Sequence, residues 1–114
     1  MQQEDFYVID AHCDTLMALT GRSMNKEEKT KRDFFTDNPG THIDLPKLVR
    51  GHVACQVMAI FLEDEQLPHA TEEAMAMIDA LDRVLEQSRS DFFLAKSGSD
   101  VHRAIAEKRV SALL

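Results

Sequence analysis

His12 and Asp14 stand one residue apart in the stretch Val8-Ile9-Asp10-Ala11-His12-Cys13-Asp14-Thr15-Leu16, and an imidazole beside a carboxylate is a donor pair suited to a divalent cation such as zinc. In a β-strand, residues i and i+2 project from the same face, so both side chains can reach one ion. The triplet alone is a weak sign, because His-x-Asp also arises as an ordinary hydrogen-bonded pair at a strand end. Its setting adds weight. The triplet closes a short apolar run, and in parallel α/β folds sites are built at the carboxyl ends of strands. Asp10 reads as a carboxylate that orients its neighbours or caps a turn rather than as a ligand. Cys13 is a potential thiolate ligand, yet a strand that turns His12 and Asp14 one way turns Cys13 the other, into packing.

The spacing recurs in His42-Ile43-Asp44-Leu45-Pro46-Lys47-Leu48. Here a helix N-cap explains Asp44 without a metal, and Pro46 is tolerated in the first turn because its missing N–H had no helical partner there. That short helix should end at Gly51. Ligation by His42 and Asp44 is therefore not expected.

The elements that would position these residues alternate. Phe6 to Asp10 reads as a first strand, apolar enough to be covered on both faces as in a parallel sheet. Thr15 to Thr20 can make a short helical turn before Gly21. From Arg22 to Thr41 the pattern dissolves into charges of both signs and closes on Pro39-Gly40, which makes a long loop, a lid or a solvated insertion, anchored by Phe34-Phe35. Val53 to Leu62 is the clearest strand, broken only by Gln56, which is either a buried amide with satisfied partners or a residue facing a polar interior. Thr71 caps a helix to Gln87 whose Ala74, Met77, Ile78, Leu81, Val84 and Leu85 form one apolar stripe. Phe92 to Ala95 is a minor strand, Ser99 caps a further helix with Lys108-Arg109 at its end, and Val110 to Leu114 starts another strand. Such an order implies an α/β fold with about three main parallel strands, outer helices and right-handed crossovers.

Composition limits the function classes. In 114 residues, 44% are hydrophobic and 29% charged, which suits one folded domain. Thirteen Lys and Arg against 20 Asp and Glu leave a net charge of −7, so no nucleic-acid surface is expected and cations are the favoured guests. Two cysteines, Cys13 and Cys55, are too few for a disulfide framework and read as reduced thiols. The acidic N-terminus is unlike a signal peptide, and no apolar stretch approaches the ~20 residues that span a bilayer, so a cytoplasmic location and no membrane segment are expected.

Four ordered stretches together resemble the N-terminal part of the renal (membrane) dipeptidase family, the M19 zinc metallopeptidases. They are Val8 to Leu16, His42 to Leu48, Gly51 with the Ala54-Cys55-Gln56 strand, and the helix-to-strand junction Ala104 to Leu114. The resemblance implies that residues 1–114 are an N-terminal fragment of a single TIM-barrel domain, a (β/α)8 barrel, in a dipeptidase that hydrolyses dipeptides by metal-activated water. It implies two zinc ions, with His12 and Asp14 as ligands to one of them. The bridging Glu, the later His ligands and the substrate-binding residues would lie beyond Leu114, so no catalytic residue is assigned within these positions and the fragment alone should be inactive. Cys13 departs from the Asn common there. Open sheet edges further imply self-association, hence a homo-oligomer. Two rivals stand beside this reading: another amidohydrolase-like barrel, which more often carries His-x-His at this place, and a non-catalytic α/β module that binds a partner.

Overall fold

The apolar run at the start of the chain forms a strand, β1 (Val8–Cys13), that passes through Asp14 directly into a six-residue helix, α1 (Thr15–Thr20). The computed structural model describes residues 6–22, 32–88 and 90–114. The charged residues Lys26 to Lys31 of the long loop and the acidic start Met1 to Asp5 lie outside these. After the loop come α2 (Leu45–Arg50), β2 (Val53–Met58), a 3-10 helix (Asp64–His69), α3 (Ala70–Gln87), β3 (Phe92–Leu94), α4 (Gly98–Glu107) and β4 (Val110–Leu113). The four strands form one parallel sheet in the order β1-β2-β4-β3. The three main strands are therefore neighbours in the expected order, and the minor strand β3 takes the outer edge beyond β4. Asp10, Gln56 and Ala112 stand opposite one another across β1, β2 and β4.

Several boundaries differ from the sequence reading, each for a local reason. β1 runs three residues further, to Cys13, whose carbonyl accepts the Ala59 N–H at 2.9 Å. It is an edge strand, not one covered on both faces: Ile9 is 62% exposed. β2 stops at Met58, where the neighbouring strand ends, and leaves Ile60 and Phe61 exposed. Thr71 is not the cap of α3. The 3-10 helix runs straight into α3, and a capping box closes its start, with Gln66 Oε1 accepting the Glu63 N–H at 3.0 Å. Ser97 rather than Ser99 caps α4, accepting the Asp100 N–H at 3.3 Å while Asp100 Oδ2 accepts the Lys96 N–H at 2.8 Å. α2 ends at Gly51 as expected, yet the left-handed residue is His52, with φ of 55°.

The core forms where α1 and α3 meet the sheet. Leu16, Met17 and Leu19 of α1 and Met77, Ala80, Leu81 and Val84 of α3 join Cys13, Met58, Phe92, Val110 and Ala112 in one buried cluster. On α3, Met77, Leu81 and Val84 of the predicted stripe are buried, Ala74, Ile78 and Leu85 are half-buried, and Ala80 joins the buried face. The long loop returns to this core through Phe34, 2% exposed, whose ring centroid lies 4.9 Å from that of Phe92. Phe34 and Phe35 thus anchor the described part of the loop. At its far side, Arg22 donates two bonds to the Glu73 carboxylate, at 2.8 and 2.7 Å, and so ties the end of α1 to the first turn of α3. Gln66 reinforces the junction by donating to both the Arg22 carbonyl and Glu73.

Asp44 holds the loop to α2. Its carboxylate, almost wholly buried, caps the helix by accepting the Lys47 N–H at 2.9 Å, accepts the Asn38 N–H at 2.9 Å, and pairs with the Lys47 ammonium. Burial alone would raise its pKa; the bonds from Lys47 and Asn38 outweigh that and hold it below the usual carboxylate range.

Two outcomes follow from this packing. Leu16→Ala should destabilise the protein by ~3 kcal/mol, a buried leucine truncation with a residual cavity, read as a drop in the urea midpoint. Asp44→Asn should be less stable than the parent at neutral pH. Because the folded Asp44 has a depressed pKa, its contribution is present above the ordinary value of 3.8 and is lost as pH falls below it. The gap between the two proteins should close there, and a gap independent of pH would refute the assignment.

Candidate metal centre

Position 14 is the N-cap of α1, where an Asp side chain ordinarily accepts a backbone N–H of the first turn. Asp14 does not do so. Its backbone carbonyl accepts the Met17 N–H at 3.2 Å instead, and its carboxylate turns back to His12, with His12 Nε2 and Asp14 Oδ1 2.8 Å apart. Both side chains remain open to solvent, His12 at 63% and Asp14 at 46%. The end of the strand and the turn into α1 thus bring the two candidate ligands together, with Asp14 just beyond the strand expected to carry it.

The donor set fits a zinc ion in part. Two ligand atoms at ~2.1 Å from a tetrahedral zinc lie about 3.4 Å apart, a small side-chain adjustment from the separation seen. Among the described residues, however, no three His, Cys, Asp or Glu side chains come together to hold a metal. A complete site needs donors from elsewhere.

Around the pair opens a cleft of about 360 Å³, lined by Asp10, His12, Asp14, Thr15, Thr41 and His42 among others. His42 therefore stands on the wall of the same cleft, carried there by the loop that Asp44 pins to α2, although it does not join His12 and Asp14 as a third donor. Asp44 itself is consumed by its cap and by Lys47. The repeated His-x-Asp spacing did not indicate this proximity, which comes from the course of the loop.

Asp10 and Cys13 take the supporting positions read from the sequence. Asp10 Oδ1 accepts the backbone N–H of His12 at 3.3 Å, and its Oδ2 accepts from Gln56 Nε2 at 3.0 Å. Cys13 turns into the core at 9% exposure, and burial raises its thiol pKa despite hydrogen bonds with Thr15 that oppose the rise. A thiolate there is disfavoured. Gln56 is a buried amide, 0% exposed, with one flaw: its Oε1 has no partner among the described residues. The sequence left its environment open. No helix among the described residues is long and apolar enough to cross a membrane.

The sequence matches the family model described as membrane dipeptidase (peptidase family M19) over residues 2–114. The fold is similar to that of a solved dipeptidase AC, described as a metallopeptidase of family M19, with a TM-score of 0.75 over 95% of this chain and 24% sequence identity. The chain spans 34% of the length of that protein. At that identity the likeness establishes a shared fold, and the open parallel sheet corresponds to part of the larger structure.

Proposed function

The chain belongs to the membrane dipeptidase family, peptidase family M19, and from that premise we propose that it forms the first part of a zinc-dependent dipeptidase in which His12 and Asp14 are metal ligands. The observation that carries this is the meeting of His12 Nε2 and Asp14 Oδ1 at the carboxyl end of β1, exposed to a cleft. The four parallel strands are on this reading a segment of a (β/α)8 barrel, a fold that places its sites at that end of the strands. The substrate is a dipeptide, and two zinc ions are bound in the whole protein.

Within these residues the division of labour is simple. His12 offers an imidazole nitrogen and Asp14 a carboxylate oxygen, and α1 holds Asp14 in place without using its side chain as a cap. Asp10 fixes the His12 backbone and adds negative charge beside the cation. Thr15, Thr41 and His42 put polar groups on the wall of the same cleft. When bound, zinc supplies Lewis acidity towards a peptide carbonyl and makes water a stronger acid.

In the full-length protein, His12→Ala and Asp14→Ala should each lower zinc stoichiometry and abolish dipeptide hydrolysis while leaving the circular dichroism spectrum unchanged. Unchanged metal content and turnover would remove the assignment. Residues 1–114 alone should show no dipeptidase activity in excess zinc, because a catalytic zinc takes about three protein ligands and two are present here. Turnover equal to the full-length protein would mean that the site is complete within this segment.

A further inference from the structure

Gln56 lies at the centre of the sheet, wholly buried in a strand otherwise built of apolar side chains and Cys55. Its amide nitrogen donates to Asp10 Oδ2 at 3.0 Å and to the Val57 carbonyl at 3.2 Å, while Oε1 accepts nothing from the described residues. Both groups facing the nitrogen are acceptors, so this orientation of the amide is forced. As core filling, Gln56 is a poor choice. A methionine of similar volume would occupy the space without a polar oxygen to desolvate.

What the amide does achieve is a hold on Asp10. Asp10 and Gln56 are register partners, so the bond runs straight across from β2 to β1. The other Asp10 oxygen accepts the His12 N–H. The β1–β2 register shifts between Asp10 and Cys13, and within that irregular stretch the His12 N–H donates to a side chain. The link runs from the buried core to the carboxylate, to the His12 backbone, and so to the imidazole that meets Asp14.

We propose that Gln56 is a positioning residue for the metal centre, fixing the aim of His12 through Asp10. The proposal rests on the reading of His12 and Asp14 as metal ligands. It separates a positioning role from a packing role by two readouts that should move independently: zinc affinity and the stability of the metal-free protein.

The test uses the full-length protein, its zinc affinity measured by chelator competition and its metal-free melting temperature by calorimetry. Gln56→Met should weaken zinc binding by ~10-fold or more, as loss of an outer partner of a metal ligand does, while the metal-free protein melts at the same temperature or higher. Gln56→Asn, whose amide is drawn back from Asp10 by one methylene, should weaken zinc binding in the same direction and covers the case in which the methionine variant does not fold. Affinity unchanged in the variants overturns the proposal, as does a metal-free melting temperature that falls with the affinity, which would mark Gln56 as a packing residue. His12→Ala serves as the reference. If it loses zinc and the Gln56 variants do not, the positioning role alone fails; if it retains all zinc, the metal reading fails and takes the proposal with it.

Discussion

Five of the six residues of α1 are buried, and the helix begins one residue after the strand that carries His12. An isolated helix of six residues has little stability of its own, so its existence here depends on packing against α3 and the sheet. Leu16, Met17 and Leu19 provide that packing. The constraint reaches the candidate site directly, because Asp14 occupies the turn between β1 and α1 and cannot shift without moving a helix embedded in the core. The strand on one side and the buried helix on the other fix the Asp14 backbone, and its carboxylate meets His12 there. Rigid elements on both flanks are what precise ligand placement requires.

Charged clusters do a second job around this core, that of bringing a long connection back to the cleft. The Arg22 guanidinium and the Glu73 carboxylate join the end of α1 to the start of α3, an arrangement that raises the pKa of the first and lowers that of the second. Asp44 and Lys47 do the same for the end of the loop, with Asp37 completing the cluster through Lys47 and Arg50. The exposed members of such clusters contribute little to stability. The buried carboxylate of Asp44 is different, since its cap and backbone bonds leave it no alternative partners, and the position of Thr41 and His42 on the cleft wall depends on it.

The candidate site and the sheet share one property: among the described residues, neither is closed. Two candidate ligands converge where a catalytic zinc would take more, and among the described residues β1 presents Val8 and Ile9 at an edge with a strand on one flank only. Both features agree with a chain that spans about a third of the dipeptidase whose fold it shares. In a barrel, closing the sheet and completing a site at its carboxyl end are the same event, because each further strand contributes an edge and a loop together.

Much of this was legible in the residues themselves. The alternation of apolar runs and amphipathic stripes determined the parallel α/β architecture, since a strand period and a helix period leave different patterns; His12 and Asp14 were readable as neighbours by their spacing, although the turn after β1 and not the strand repeat brings them together; and Asp44 before Leu45-Pro46 was readable as a cap because capping is local chemistry. Other features depended on contacts between distant segments. The 3-10 helix and its Glu63–Gln66 box displaced the cap expected at Thr71, and β2 ended early because its partner strand ended. No local pattern could place His42 on the His12 cleft, expose Ile9 at an edge, or put the Gln56 amide against Asp10, which stands 46 residues earlier in the chain. Periodicity and caps are written in neighbouring residues, whereas register, edges and cross-strand bonds exist only once the strands have paired.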